Sequence, residues 1–141
     1  MNRKGGWQEG MPLKSRDLAV TAAEAALKKK AIDVTILEVS GLTVIADYFV
    51  ICSGESTTQV KAVASFIEEE LERKHRKPLG IEGVAYSHWI LLDYGDIIVH
   101  VFEKETRAYY SLEKLWMDAK VIEIDEDKDH MAGEDKRAVH S

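Results

Sequence analysis

Asp93 and Asp96, with Asp47 farther up the chain, are the residues whose type and spacing come nearest to a reaction centre. Paired carboxylates hold a divalent metal such as magnesium for phosphoryl or nucleotidyl transfer. Here, however, the two aspartates flank Tyr94-Gly95, and Asp beside such a turn is an ordinary turn former. Gly54-Glu55-Ser56 has neither the glycine density nor the lysine of a phosphate-cradling loop. The five histidines (His75, His88, His100, His130, His140) show no metal-ligand spacing, and no cysteine joins them. No Ser, His and Asp set stands out as an activated nucleophile. These residues argue against an enzyme, a metal site or a cofactor. A magnesium-dependent nucleotidyltransferase-like enzyme using Asp93 and Asp96 is the rival reading.

Cys52, the single cysteine, ends the apolar run Tyr48-Phe-Val-Ile-Cys52 with no basic neighbour to stabilise a thiolate. It reads as a buried small hydrophobe, and the lack of any internal disulfide fits a reducing compartment.

A second kind of chemistry, partner recognition, is better supplied. His88–Asp93 and Asp96–Phe102 read as a hairpin turning on Tyr94-Gly95, which places Asp93 opposite Asp96, Leu91 opposite Ile98 and Trp89 opposite His100. One face then carries Ile90, Leu92, Ile97, Val99 and Val101, an aliphatic set suited to lie under helices. The other carries Trp89, Leu91, Ile98, His100 and Phe102, with Asp93 and Asp96 at the turn end. Large aromatic area mixed with a titratable ring and carboxylates is a composition nearer to a protein interface than to a dry core. Cover by another helix of the same chain is the alternative for this face. Beyond the hairpin, Arg107 offers a guanidinium for a carboxylate or a phosphate, while Tyr109, Tyr110 and Trp116 have polar tips that seek water or a partner. Leu112 and Leu115 fit core packing.

The elements that must position these residues follow from periodicity. Leu13–Ala31 reads as a helix capped by Ser15, with Leu18, Ala22, Ala25 and Ala26 as a slim apolar face. Val34–Val39 and Asp47–Ser53 read as strands, the second apolar on both faces as a central strand must be. Ser56 and Gln59 have capping-box spacing, and Val60, Val63, Ala64, Ile67 and Leu71 recur as one helical face that Pro78 ends. Glu69 with Arg73, Glu70 with Lys74 and Glu72 with Arg76 are expected to pair along its wet side. A Gly-rich link (Gly80, Gly83) with room for an optional strand, the hairpin, a short helix at Ser111–Trp116 and a strand at Lys120–Ile124 complete an α/β fold, a single domain with a mixed β-sheet and flanking helices. Residues 1–12 form a flexible N-terminal segment, 13–122 the domain, and 123–141 an acidic, disordered tail too poor in apolar residues to order itself.

The chain has 141 residues, 45% of them apolar, enough for one sizeable core, and carries a formal charge of −6. Such a balance excludes coating nucleic acid or anionic membrane by bulk charge. The apolar runs are too short to span a bilayer, and the first ten residues hold no apolar stretch of a secretion signal, so a cytoplasmic location without membrane contact is expected. Lys28–Lys30 and Arg73–Lys77 sit at predicted helix C-termini, where cations favour the dipole. If the two ends lie side by side they also provide a minor contact to ribonucleic acid phosphate.

Taken in order, Asp47-Tyr-Phe-Val-Ile-Cys-Ser-Gly54, Gln59-Val60, Glu82-Gly83, Trp89-Ile-Leu-Leu-Asp-Tyr-Gly-Asp96, Val99-His-Val-Phe102, Arg107, Tyr109-Tyr110, Leu112-Glu113 and Leu115-Trp116 with Asp118-Ala119 resemble the ribosomal silencing factor family, also called RsfS or Iojap-like. The resemblance covers about residues 13 to 122 and rests on several separate motifs in the family's order. It implies a nucleotidyltransferase-like fold lacking the catalytic site. It further implies a translational repressor that binds ribosomal protein L-fourteen on the large ribosomal subunit, blocks association with the small subunit, and lowers translation under nutrient limitation. By position, the implied interface is Trp89, Leu91, Asp93, Tyr94, His100, Phe102, Arg107, Tyr109, Tyr110 and Trp116. An exposed aromatic face of this kind also predicts a homodimer in the free protein.

Overall fold

A computed structural model describes residues 14–110, 114 and 116–124. The chain runs α1 (Ser15–Lys28), β1 (Ile32–Glu38), β2 (Tyr48–Gly54), α2 (Thr57–Glu72), β3 (Gly80–Glu82), β4 (Trp89–Asp93), β5 (Ile97–Glu103), α3 (Lys104–Tyr110) and β6 (Lys120–Ile122). The six strands make one mixed sheet in the order β3-β4-β5-β2-β1-β6. β2 and β5 run parallel at its centre, and the remaining pairs are antiparallel. β2 is buried from Phe49 to Gly54, which its two-sided apolar sequence required. Cys52 lies in that strand with no exposure, and burial pushes its thiol up to about 12 against a smaller lowering by Arg107. At ordinary pH the thiol stays protonated and is not a nucleophile.

α1 and α2 cover the same face of the sheet. α1 buries Leu18, Ala19, Ala22, Ala23, Ala25 and Ala26, and the alanines let it lie close to the sheet. α2 buries Val60, Val63, Ala64, Ile67 and Leu71, the positions its periodicity marked. Beneath them are Ile90, Leu92, Ile97, Val99 and Val101. Each such side chain, fully removed from water, contributes about 1.5–3 kcal/mol before entropy is counted.

Several local details depart from the sequence reading. Ser15 does not cap α1; Lys14 occupies that position without a side-chain bond, and the Ser15 hydroxyl donates to Asp96 instead, at 2.7 Å. At α2, Ser56 accepts from the Gln59 amide at 3.1 Å as a capping box requires. The return bond is displaced by one residue, because Gln59 Oε1 accepts from the Glu55 amide. Gln59 Nε2 meanwhile donates to the Lys29 and Lys30 carbonyls, so this one side chain joins the start of α2 to the end of α1. α2 ends at Glu72, before Pro78, in a turn where His75 takes a left-handed φ of 66° and the Arg76 amide bonds back to Leu71. The expected i,i+4 pairs give way to Arg73 with Glu70 and Lys77 with Glu72, since this turn redirects Arg76 to Asp96.

The optional strand between α2 and the hairpin is present as the short edge strand β3, followed by Gly83 at φ +90°. A methyl group at Gly83 would collide with the Trp89 carbonyl oxygen, so glycine is required for this crossing against β4.

Candidate functional site

The hairpin register differs from the expected one. Asp93 pairs with Ile98, Leu91 with His100 and Trp89 with Phe102. Tyr94 donates to the Ile97 carbonyl and the turn is Gly95-Asp96, with glycine taking the positive φ of 89°. Pairing has slipped by two residues, which preserves the side to which every side chain points. The two-face division therefore stands while every individual partner changes.

The alternation also places Tyr94 with Ile90 and Leu92, on the helix side. It is buried at 2% exposure with its hydroxyl unpartnered among the described residues, so it lies in the core beneath α2 and not on the aromatic face. Burial, aided by Glu68 and only partly countered by Arg76, raises its pKa and keeps the phenol neutral. Asp96 likewise turns away from the aromatic face. Its carboxylate takes a bidentate grip from Arg76, 2.7 Å at the shorter contact, together with the Ser15 bond. Desolvation works to raise its pKa, and the Arg76 and Ser15 hydrogen bonds with the Arg76 charge outweigh it, leaving the carboxyl below its ordinary range. Asp93 accepts from the Gly95 amide at 2.8 Å and braces the turn. The two aspartates thus have separate structural partners, and the described residues contain no group of three or more His, Cys, Asp or Glu arranged to hold a metal.

Trp89, Leu91, His100, Phe102 and Trp116 do come together, around Phe49. Phe102 has no exposure, its ring 4.7 Å from Trp89 and 6.2 Å from His100. Phe49 meets His100 and Trp116 edge-on at 5.1 and 5.4 Å. Trp116 and Ala119 pack against this layer, so the chain's own C-terminal segment covers much of the face. The structure places a helix, α3, at Lys104–Tyr110, ahead of the expected position, and the helix expected at Ser111–Trp116 falls largely outside the described residues. Leu112 and Leu115 lie outside the described residues, as do the side chains of Tyr109 and Tyr110. Arg107 is anchored structurally, donating to the Asp33 carbonyl at 2.6 Å and the Ser53 hydroxyl at 3.0 Å.

His100 is 5% exposed, and burial pushes its pKa down to about 4. The Trp89 indole donates to its Nδ1 at 3.1 Å, which assigns the ring proton to Nε2. Because the folded pKa lies below the ordinary value near 6.5, the unfolded chain binds more protons between the two. Stability is therefore full above that window and falls with pH inside it. Urea midpoints are expected to show a loss of about 2 kcal/mol from pH 7 to pH 5. His100→Gln should remove that part of the dependence, whereas an unchanged slope in the variant would show that another group titrates.

What the sequence did not single out is the exposed apolar rim beside this layer. Leu42, Val44 and Ile45, in the β1–β2 connection, are 48%, 103% and 60% exposed; Met117 is 79% and Val121 56%. Leu42, Trp116 and Met117 line one shallow depression of about 270 Å³, with Lys114 and Asp118 at its edge. The signal was present as three apolar residues within four positions of a connection that no strand needed, Leu42 with Val44-Ile45.

The family profile described as "Ribosomal silencing factor during starvation" matches residues 12–141. The ribosomal silencing factor RsfS of Bacillus subtilis is 39% identical over 113 residues, 80% of this chain and 96% of the relative. The chloroplastic protein Iojap of Zea mays is 35% identical over 106 residues, 75% of this chain and 46% of the relative. A crystal structure of a Chromobacterium violaceum protein superposes with a TM-score of 0.72 at 33% identity, covering 74% of this chain and 87% of that one. No helix among the described residues is long and apolar enough to cross a membrane. With this sheet, these motifs and matches over most of its length, the chain belongs to the ribosomal silencing factor family, whose members have a ribosome-associated silencing role.

Proposed function

We propose that this protein is a cytoplasmic translational repressor that docks on ribosomal protein L-fourteen of the large subunit and blocks association with the small subunit by its bulk. The observation that carries the reading is the match to the silencing factor family over nearly the whole fold. The apolar rim at Leu42, Val44, Ile45 and Met117 supports it, because apolar anchors left in water by the chain's own core are what a protein partner buries. Occlusion requires no catalysis, and Asp93 and Asp96 are occupied in holding the turn and the helix ends. Trp89, Leu91, His100 and Phe102 serve chiefly as the rigid layer behind this surface, and Trp116 forms its edge. Residues 13–122 carry the activity. In the free protein the same rim is covered by a second copy, which the large subunit displaces.

Sedimentation with isolated large subunits and with assembled ribosomes tests this. The chain is expected to travel with the former and not the latter, and to lower the fraction of small subunits that join. Equal association with assembled ribosomes overturns the occlusion reading. Sedimentation velocity of the free chain in the same buffer reads the self-association.

A further inference from the structure

Gln59, at the start of α2, holds the Lys29 and Lys30 carbonyls at the end of α1, while Asp96 holds Ser15 at the start of α1 and Arg76 beyond the end of α2. The helices are therefore antiparallel. Lys28–Lys30 and Arg73–Lys77 sit at opposite ends of the pair, so the side-by-side arrangement that a shared phosphate contact needs does not form. The same bonds fix the point at which residues 1–13 join the fold. Lys14 and Ser15 stand beside the β4–β5 turn, and Gly95 of that turn lies against Leu79, whose Cδ1 would be 3.3 Å from an added methyl group.

Leu79 begins a second apolar surface, at the β3 edge of the sheet and so across all six strands from Val121 on β6. Leu79 is 77% exposed, Ile81 39%, Val84 47% and Tyr86 80%. Ile81 and Val84 border a depression of about 180 Å³ that is also lined by Ala64 and Ser65 of α2 and by the buried Ile90 and Leu92 of β4. An apolar cavity of about 150 Å³ admits a benzene ring, so this one has room for an aromatic side chain. β3 is an edge strand besides, with one side of its backbone unpaired among the described residues, which invites a further segment of chain. Four neighbouring apolar side chains around an apolar hollow mark a docking surface.

We propose that the occupant is the chain's own residues 1–13, with the Trp7 indole seated in the depression between Ala64, Ile81 and Val84 and Met11 against Leu79, in place of the flexible segment that composition predicts. Reach and composition select it. The seven residues from Trp7 to Leu13 can extend about 23–25 Å from Lys14. Leu79 lies at the same turn as Ser15, and Ile81 is only about 7 Å farther along the strand direction. Trp7, Met11 and Leu13 are large apolar residues, and the glycines before Trp7 and before Met11 leave the segment free to bend around the end of α2. A segment tethered at the edge of its own site has an effective concentration in the millimolar range, so weak apolar contacts suffice to keep it bound. A second copy or another protein bears the full entropic cost of association for the same contacts. Residues 1–11 precede the family match at 12–141, and this docking stands independently of the ribosome-associated reading. It closes the β3 edge to other chains.

The test places a nitroxide spin label on the full chain at Glu9→Cys and follows methyl signals by nuclear magnetic resonance; Cys52 is buried and stays unlabelled. The Ile81 and Val84 signals are expected to be lost, while those of Val44 and Ile45 in the β1–β2 connection keep their intensity. Adding Trp7→Ser should restore the Ile81 and Val84 signals. No loss at these two residues in the labelled chain overturns the proposal. A mixture of isotope-labelled chain without the nitroxide and nitroxide-labelled chain without isotope identifies the donor. Unchanged signals in that mixture support docking within one chain, whereas loss of the Ile81 and Val84 signals there assigns the surface to a second copy and overturns it. Hydrogen exchange checks the chain without the label: the β3 amides should exchange about tenfold faster in Trp7→Ser than in the wild-type chain, and equal rates count against the contact.

Discussion

Phe102→Ala is expected to lower the unfolding free energy by about 3–5 kcal/mol. Phe102 has no exposure and sits on β5, between β4 and the central β2, with its ring against Trp89 and His100. Truncation leaves a void beneath Trp89 that the sheet backbone cannot close, because neighbouring rings are fixed by strand register and by the indole bond to His100. A domain of this size has about 5–15 kcal/mol in all, so the variant should lie close to its unfolding midpoint under ordinary conditions. Urea unfolding followed by tryptophan fluorescence reads the difference. A loss below about 1 kcal/mol would show that the aromatic layer collapses freely and is not the rigid support assigned to it.

Replacing Leu42 and Met117 together by Gln is expected to weaken binding to isolated large subunits by about 30-fold or more, equivalent to about 2 kcal/mol, with stability changed by less than about 0.5 kcal/mol. The separation of effects follows from exposure: both side chains flank the depression at Trp116, yet neither is buried in the free chain. Trp89→Ala is a less clean probe. Trp89 is half-buried, packs on Phe102 and donates to His100 Nδ1, so its removal weakens the fold and any interface together. Normal binding by a folded Leu42→Gln, Met117→Gln chain would place the docking surface elsewhere.

Much of the architecture was legible because it depends on periodicity. The buried face of α2 at Val60, Val63, Ala64, Ile67 and Leu71 follows from a 3.6-residue repeat, and the doubly buried β2 from an uninterrupted apolar run. The hairpin's two faces were legible for the same reason, and Tyr94 could have been assigned to the helix side from alternation with Ile90 and Leu92. Its register was not, since Tyr94-Gly95 and Gly95-Asp96 are both acceptable turns and only the positive φ at Gly95 in first position distinguishes them. β3 was legible only as an optional strand in the Gly-rich link, because three exposed residues, Gly80–Glu82, carry no hydrophobic pattern.

The amino-acid sequence by itself determined the element types, the two faces of the sheet, the inert Cys52 and membership of a family of ribosomal silencing factors, all of which depend on local composition and ordered motifs. Tertiary structure alone decided which surface stays free and which charges meet. The aromatic layer is covered by the chain's own return past Trp116, leaving Leu42, Val44, Ile45 and Met117 in water. Arg76, free on an isolated helix to pair with Glu72, instead joins Asp96 and, through it, Ser15 at the start of α1. Burial and charge juxtaposition are sums over contacts between residues distant in the chain, and no local pattern encodes those sums.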